Sequence, residues 1–291
     1  MNVTVTGATG LIGRRIVKAL EQRGDDVTVV SRDPARARDA LGVDATTWDD
    51  PRLADAVIHL AGENIAQRWT DDAKRRIRTS REDGTRRLVE AMASAGPGPR
   101  TLVSASGVGY YGARRDEPIG EDAPAGDDFL AQVCVAWERE ANAAAALGVR
   151  VVTVRTGVVL DKGGGALSKM LPFFKAGVGG PVAGGRQYLS WIHADDVAGI
   201  YLRALDDETW SGPVNASAPE PVTNREFSHT LGRALRRPAL APVPGFAVRA
   251  LYGEMAEIVT TGQRALPRRP LELGYRFRHT ELEPALRSAL A

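Results

Sequence analysis

Val3-Thr4-Val5-Thr6-Gly7-Ala8-Thr9-Gly10-Leu11-Ile12-Gly13 decides the fold of this chain. The apolar, β-branched run predicts a buried strand, and the apolar spacing after the turn predicts an amphipathic helix. Gly7 permits a tight turn, Gly10 lets a ligand approach the backbone, and Gly13 allows close helix packing. The N–H groups at the start of such a helix suit a dinucleotide pyrophosphate. The predicted cradle consists of Gly7, Thr9, Gly10, Leu11, Ile12 and Gly13. The alternative is a glycine-rich turn without a ligand.

The second predicted strand indicates which dinucleotide the cradle holds. Gly24 ends the first helix, and the apolar stretch 27–30 follows it. NAD-binding chains of this type carry an acidic residue after that strand, where it binds the ribose 2′-OH. Here Ser31 and Arg32 stand there instead, and a guanidinium can pair with a 2′-phosphate. We therefore predict NADP(H), with Ser31 and Arg32 as contacts; the alternative is that Arg32 is a solvated surface residue.

Charge and cysteine content narrow the class of protein. The net charge of +2 gives no reason to expect a nucleic-acid or membrane partner. The single cysteine, Cys134, excludes an internal disulfide and is typical of a reducing compartment. The first strand follows Met1 and Asn2 at once, with no signal peptide or long apolar stretch in the sequence. We expect a soluble, cytoplasmic protein that acts on a small molecule.

Strands and helices alternate through the first half, which predicts an α/β, Rossmann-type fold with a doubly wound parallel sheet. Further strands are predicted at 46–48, 56–60, 100–104 and 150–155, and helices at 71–95 and 129–147. Ligands bind at the carboxyl edge of such a sheet. The strand ends there add Leu60, Ala61, Gly62 and Ser104 to the predicted cofactor contacts.

The second half predicts a smaller, carboxyl-terminal substrate lobe. We expect a helix over 166–175 that ends or kinks at Pro172, and a strand before a helix that Asp195 caps. A proline-rich linker from Pro238 leads to helices over 246–261 and 280–290. The predicted domains are a cofactor-binding domain over 1–160, joined by 188–216, and a lobe over 161–291. The helical tail of that lobe is placed at about 240–291.

Several segments resemble a known superfamily, the extended short-chain dehydrogenase/reductases. The matching segments are Thr6-Gly-Ala-Thr-Gly-Leu-Ile-Gly13, Val57-Ile-His-Leu-Ala-Gly62, Tyr111-Gly112 and Trp191-Ile-His-Ala-Asp-Asp-Val197. Within that superfamily the chain is similar to an atypical epimerase-like subfamily with a carboxyl-terminal domain of unknown function. The closer match rests on Leu60-Ala-Gly-Glu-Asn-Ile65, Ser80-Arg81, Cys134-x-x-Trp137-Glu138 and Gly253-Glu-Met-Ala256.

The resemblance also exposes a departure in the predicted helix over 129–147. Ordinary members carry a Tyr-x-x-x-Lys pair on the equivalent helix; the tyrosine transfers a proton, and the lysine holds the nicotinamide ribose. This helix has no tyrosine, and at the i, i+4 spacing it offers Cys134 and Glu138. A neighbouring carboxylate raises a thiol pKa, so we predict that Cys134 is not a reactive thiolate. Glu138 is predicted either to bind ribose hydroxyls or act as a base, or to form a structural salt bridge.

Other residues are candidates for the proton chemistry. We predict catalytic roles for Ser106, Tyr110, Tyr111, Glu138 and His193. For each the alternative is structural: a satisfied loop hydroxyl, a packed ring, a helix salt bridge or a backbone-bonded imidazole. Arg155 ends a buried strand and is predicted to contact the cofactor or another anion, or to form an internal ion pair. No cluster of His, Cys and acidic residues has metal-ligand spacing, so we predict no metal.

Two functions remain open from sequence. The first is an NADP(H)-dependent oxidoreductase or epimerase-like enzyme that acts on an unknown carbonyl or hydroxyl substrate. The second is a catalytically inert NADP(H) sensor, and the missing Tyr-x-x-x-Lys pair favours it. The resemblance permits either a monomer or a homodimer.

Overall fold

A parallel sheet forms the centre of the structure, a computed structural model that describes residues 1–96, 98–239 and 241–291. The strands are β1 (Asn2–Thr6), β2 (Asp26–Val30), β3 (Asp44–Thr46), β4 (Ala56–His59), β5 (Thr101–Gly107), β6 (Pro118–Ile119), β7 (Arg150–Thr156), β8 (Val158–Leu160), β9 (Tyr188–Leu189), β10 (Trp191–His193), β11 (Gly212–Ala216), β12 (Val222–Thr223) and β13 (Arg264–Ala265). The central sheet has seven strands in the order β11-β7-β5-β4-β1-β2-β3, and all its neighbours are parallel. This confirms the predicted Rossmann-type fold.

Helices cover both faces of the sheet. They are α1 (Leu11–Gln22), α2 (Pro34–Leu41), α3 (Asp71–Ser94), α4 (Phe129–Asn142), α5 (Gly165–Lys175), α6 (Ala194–Asp206), α7 (Asn224–Leu235), α8 (Gly245–Tyr252), α9 (Ala256–Thr260), α10 (Arg268–Glu272) and α11 (Leu282–Leu290). Short 3₁₀ helices span Val108–Tyr111 and Ala143–Leu147.

The alternation of side chains along each strand separates two cores. Ile58 and Val103 pack with α1 and α6, whereas their neighbours Val57 and Leu102 pack with α3 and α4. Adjacent residues of a strand point to opposite faces, so continuous apolar strands fill both layers. The carboxyl ends of β1, β4, β5 and β7 therefore meet along one edge between these layers.

Some predicted element boundaries were wrong. The strand predicted at 46–48 lies at Asp44–Thr46, because that is the stretch that pairs with β2. The helix predicted over 246–261 is divided into α8 and α9 at Gly253, whose φ is +63°. The helix α5 continues through Pro172 to Lys175. Asp195 does not cap α6; its backbone N–H donates to His193 Nδ1 at 3.1 Å, so His193 is the cap.

The carboxyl-terminal segments pack onto the sheet domain. Side chains of α5, α7 and α11 share a core with β8 and β10. Asp196 of α6 is fully buried, and its two carboxylate oxygens accept the backbone N–H groups of Arg278 and His279 at 2.7 and 3.0 Å. Leu240, where the helical tail was predicted to begin, lies outside the described residues. Within the described ranges, no helix combines the length and apolarity that a membrane span needs.

Candidate cofactor and active site

The glycine-rich turn joins β1 to α1 at the carboxyl edge of the sheet. Gly7 has φ +68°, and a Cβ there would lie 2.7 Å from the carbonyl carbon of Leu60. A Cβ on Gly13 would lie 2.5 Å from the Gly7 carbonyl oxygen. A Cβ on Gly10 would meet only that same oxygen, at 3.2 Å. The backbone thus requires glycine at positions 7 and 13, whereas Gly10 leaves open space in front of the helix.

The helix α1 begins without a side-chain cap, as α5 and α8 also do. The helices α2, α3, α4 and α7 begin with side-chain caps from Asp33, Thr70, Asp128 and Thr223. Gly10 stands at that position in α1, and no side chain caps this helix. A helix N-terminus with uncapped N–H groups binds anions, and a pyrophosphate suits it.

A buried chain of hydrogen bonds holds the neighbouring strand end against the turn. The Thr6 hydroxyl accepts the N–H groups of Leu60 and Ala61 at 3.2 Å and donates to His59 Nδ1 at 2.7 Å. His59 Nε2 then donates to the Thr85 hydroxyl at 3.0 Å. Burial, followed by the charge of Arg81, lowers the pKa of His59 to about 4, so the ring is neutral. Residues 60–62 are thereby fixed beside Gly7.

The predicted cofactor contacts fall into an accessible group and a buried group. The accessible or half-buried positions are Gly7, Thr9, Gly10, Leu11, Ile12, Ser31, Arg32, Leu60, Ala61 and Gly62. Gly13, Ser104 and Arg155 are buried. Gly13 serves the packing of the turn, and Ser104 has no exposed surface. The accessible group forms one continuous rim along β1, β2 and β4.

The end of β2 presents the residues predicted to bind a 2′-phosphate. Arg32 is exposed, and no described hydrogen bond or ion pair engages its guanidinium. The hydroxyl of Ser31 contacts the backbone of Asp33, which in turn caps α2 through the Arg36 N–H. The arginine is therefore available to a ligand at the strand end.

A buried ionic cluster occupies the carboxyl ends of β5 and β7. Glu138 receives two hydrogen bonds from Arg155, Nε to Oε1 and Nη2 to Oε2, each at 2.8 Å. The Ser106 hydroxyl donates to the same Oε1 at 2.6 Å. Burial opposes the charge on Arg155, but the hydrogen bonds and charge of Glu138 outweigh it and raise the guanidinium pKa. Glu138 and Arg155 are only 7 % and 3 % exposed, so this pair is internal.

The thiol of Cys134 lies beside this cluster, one helical turn before Glu138. It is buried, and it faces Ser106 and the backbone N–H of Gly107. Burial and the Glu138 charge raise its pKa to about 11, against the opposing charge of Arg81. The thiol is therefore protonated at neutral pH. The geometry agrees with an unreactive Cys134.

The two candidate tyrosines have different surroundings. Tyr111 is fully buried; its hydroxyl donates to Asn215 Oδ1 at 2.7 Å and accepts from Arg155 Nη1 at 3.0 Å. Burial raises its pKa to about 12. The ring of Tyr110 lies 3.5 Å from the Arg155 guanidinium, and its hydroxyl makes no hydrogen bond among the described residues. Tyr111 therefore closes the cluster from inside, whereas Tyr110 has a free hydroxyl.

His193 lies in the layer of α1 and α6, away from the Glu138 cluster on α4. Its ring is buried and stacks on His279, with the ring centroids 3.8 Å apart. Burial, and then the charge of His279, lower the pKa of His193 to about 4. Asp195 completes a group that sequence spacing missed, because His279 is far along the chain. The candidate ligand atoms of His193, Asp195 and His279 lie within 4.8 Å of one another, so these side chains could hold a metal ion, which spacing along the sequence did not indicate.

Sequence reasoning missed the role of Arg81 of α3. Its guanidinium is next to Gly62, 3.0 Å from where a Cβ on that glycine would stand, and 4.9 Å from the Trp137 ring centre. The sequence did indicate a buried position for Arg81. This residue lies at four-residue spacing on the same face of α3 as the buried Ala73, Ile77 and Thr85. An arginine within a buried row has a partner or a ligand.

Two family models match this chain. The NAD dependent epimerase/dehydratase family matches residues 3–215. A domain of unknown function, DUF1731, matches residues 243–289. Residues 216–242 lie between the two matched segments.

Similar proteins of full length carry both parts. The mouse epimerase family protein SDR39U1 is 40 % identical over 301 residues, with 100 % of each chain covered. The chloroplastic SDR39U1 homologue of Arabidopsis thaliana is 40 % identical over 302 residues, which cover all of this chain and 87 % of the plant protein. A crystal structure of human epimerase family protein SDR39U1 (isoform 2) with NADPH superposes with a TM-score of 0.90. It is 39 % identical, and the match covers 99 % of this chain and 98 % of the human one.

Proposed function

Because this chain belongs to the NAD dependent epimerase/dehydratase family, we propose that it is an NADP(H)-dependent oxidoreductase acting on a carbonyl or hydroxyl substrate. The observation that carries the proposal is the open glycine-rich turn, whose helix has no side-chain cap, together with Arg32 at the end of β2. Human SDR39U1 was crystallised with NADPH, which supports the same cofactor here.

The cofactor would lie along the rim of accessible residues. Gly10 and the first turn of α1 would bind the pyrophosphate, and Ser31 and Arg32 the 2′-phosphate. When bound, NADPH supplies or, as NADP⁺, accepts a hydride. The other tasks at the reacting carbon fall to side chains of the protein.

Ser106 and Tyr110 are the residues we assign to the substrate oxygen. The Ser106 hydroxyl donates its hydrogen bond to Glu138. Its oxygen can therefore accept a hydrogen bond from a substrate hydroxyl. Tyr110 has a hydroxyl without a described partner, and it would exchange the proton with that oxygen. Glu138 is a positioning residue in this scheme, because Arg155 and Ser106 already occupy its carboxylate.

The test is a fluorescence titration with NADPH and NADH, followed by turnover of the NADPH complex with aldehydes, ketones and quinones. We expect tighter binding of NADPH and turnover of at least one substrate. Ser106→Ala should lower kcat about tenfold, because the substrate hydroxyl would lose a neutral hydrogen-bond acceptor.

The two adjacent tyrosines give a matched pair of variants. Tyr110→Phe should lower kcat and leave the melting temperature unchanged. Tyr111→Phe should lower the melting temperature, because Asn215 and Arg155 lose a buried partner. The reverse pattern would remove Tyr110 from the mechanism.

A sensor without turnover is the second candidate, and the position of Cys134 and Glu138 favours it. The thiol pKa of about 11 makes Cys134 a very weak acid at neutral pH, and Glu138 is already paired internally, so neither residue of α4 suits proton transfer. Tight NADPH binding without turnover across the panel, in the wild type and in every variant above, would support this function over the first.

A further inference from the structure

Arg81 is a cation beside Gly62 that forms no salt bridge among the described residues, although the charge of Glu63 favours it from a distance. Only one of its contacts is a hydrogen bond, from Nη1 to the Ile77 carbonyl oxygen at 3.2 Å. No carboxylate of the described chain lies within salt-bridge distance of it. Burial lowers the pKa of its guanidinium, which means that the site disfavours the charge it holds.

The other arginines of the same region are satisfied. Arg155 is paired with Glu138, and Arg150 donates to the backbone carbonyls of Ala204, Leu205 and Trp210. On α3 itself, Arg86 pairs with acidic side chains. A half-buried arginine that uses one of its five N–H groups is thus an exception among neighbours that fill theirs.

The position of Arg81 is also that of a binding group. Gly62 lies three residues beyond the end of β4 and is exposed, so a ligand on the accessible rim would pass beside the guanidinium. Trp137 lies under the guanidinium, and Glu63, which lies 3.9 Å from Arg76, acts on Arg81 through its charge without a hydrogen bond to it. On the far side stands Cys134, whose thiol feels the Arg81 charge. A planar guanidinium held by a ring and open at its fork matches a carboxylate or a phosphate.

We propose that Arg81 binds an oxyanion, a carboxylate or phosphate group, at the end of the cleft between Gly62 and Cys134. The oxyanion belongs to the substrate or to the dinucleotide. If it is the substrate's, the proposal deepens the proposed function and rests on it, because it restricts the substrates to anionic carbonyl or hydroxyl compounds. The unsatisfied guanidinium beside an accessible strand end is the observation that carries it.

The experiment compares Arg81→Met and Arg81→Lys with a control on the same helix, Arg87→Met. Arg87 is exposed and makes no described contact, so its variant removes the same charge without touching the cleft. One arm measures the Kd of NADPH for each protein by fluorescence. The other saturates each protein with NADP⁺ and titrates it with propionate, inorganic phosphate or the uncharged propionamide, followed by ligand-observed NMR.

We expect Arg81→Met to weaken the binding of either NADPH or the small anions propionate and phosphate by about tenfold or more. That loss is typical of a charge-assisted contact. Weaker NADPH binding assigns the oxyanion to the dinucleotide. Unchanged NADPH binding with loss of propionate or phosphate binding assigns it to the substrate. Arg81→Lys should keep part of the affinity, and propionamide should bind none of the proteins measurably.

The melting temperature of the ligand-free protein separates binding from structure. An unpaired guanidinium adds no stability, so Arg81→Met should melt at or above the wild-type temperature. A lower melting temperature with unchanged binding of NADPH, propionate and phosphate would overturn the proposal and make Arg81 a structural residue. These readouts need no turnover, so an absence of turnover overturns the oxidoreductase alone.

Discussion

The glycine-rich turn of α1 and the Cys134–Glu138 turn of α4 meet the same sheet edge, yet they satisfy their polar groups in opposite ways. The first turn of α1 leaves its N–H groups without a side-chain cap. The carboxylate of Glu138 receives hydrogen bonds from Arg155 and Ser106 and is nearly inaccessible. Groups left open by the fold are available to a ligand, whereas groups satisfied within it hold the scaffold.

The largest effect should come from breaking the internal pair. Glu138→Ala leaves the Arg155 charge buried without its counter-ion, with only the Tyr111 hydroxyl and the Glu121 carbonyl as partners, and we expect a loss of about 3–5 kcal/mol in the free energy of unfolding. Urea denaturation measures it. Asp83→Ala removes an exposed partner of Arg86 and should cost less than about 1 kcal/mol.

A second variant decides whether the Glu138 pair is a scaffold. The double substitution Glu138→Gln with Arg155→Met removes both charges, and it should recover much of the stability that Glu138→Ala loses. If the double variant were as unstable as Glu138→Ala, the pairing would not be the source of the effect.

Gly10→Val tests whether the glycine-rich turn at the start of α1 binds the cofactor. A branched side chain would occupy the space in front of α1, and we expect NADPH affinity to fall by about a hundredfold or more. Because a Cβ there lies 3.2 Å from the Gly7 carbonyl oxygen, the turn must shift slightly, so the melting temperature is measured alongside the affinity. Gly84→Val on α3, where a Cβ meets no atom within 4 Å, is the matched control. Retained affinity in Gly10→Val would mean that the turn is not the cradle.

Arg32→Ala tests whether the cofactor carries a 2′-phosphate that contacts this residue. Loss of one charge-assisted contact should weaken NADPH binding by about 1.5–3 kcal/mol and leave NADH binding nearly unchanged. Fluorescence titrations with both cofactors measure the difference, with Arg87→Ala as the control. Equal losses for the two cofactors would contradict a contact with the 2′-phosphate.

The smallest effect should be seen at the buried thiol of Cys134 on α4. With a pKa of about 11, Cys134 is deprotonated only as the pH rises toward that value. At pH 8 we expect iodoacetamide to alkylate it at least about a hundredfold more slowly than free cysteine, and the rate should climb up to about pH 11. Mass spectrometry follows the reaction without interference, because the chain has one cysteine. Rapid alkylation at pH 8 would make Cys134 a reactive group after all.

The fold was predictable because its signals are local. Each strand is a short apolar run, and the cradle needs glycine at fixed positions within one turn. The proximity of Cys134 and Glu138 likewise followed from their i, i+4 spacing. Such inferences use residues that stay close in the chain.

The site was predictable only in part because its partners are distant in sequence. Arg155 could be expected to pair with some anion, but only the register of β5 and β7 beside α4 selects Glu138. Asn215 likewise reaches Tyr111 from another strand. Aspartate is a more usual helix cap than histidine, so the sequence favours Asp195 at the start of α6. The structure shows that the His193 side chain makes the capping hydrogen bond instead. Arg81 belongs to a motif of the subfamily, but only its spacing along α3 indicates that it lies in a buried row.

The side chain of Asp196 connects the two segments of the chain that separate family models match. Both oxygens of this buried carboxylate are held by the backbone of Arg278 and His279, inside the segment that matches a separate family model. Removing that segment would leave a carboxylate in the first domain without its donors, whatever the side chains of the segment are. The carboxylate of Asp196 thus joins the two matched segments through backbone N–H groups of the second, so substitutions of Arg278 or His279 other than proline would leave this joint in place.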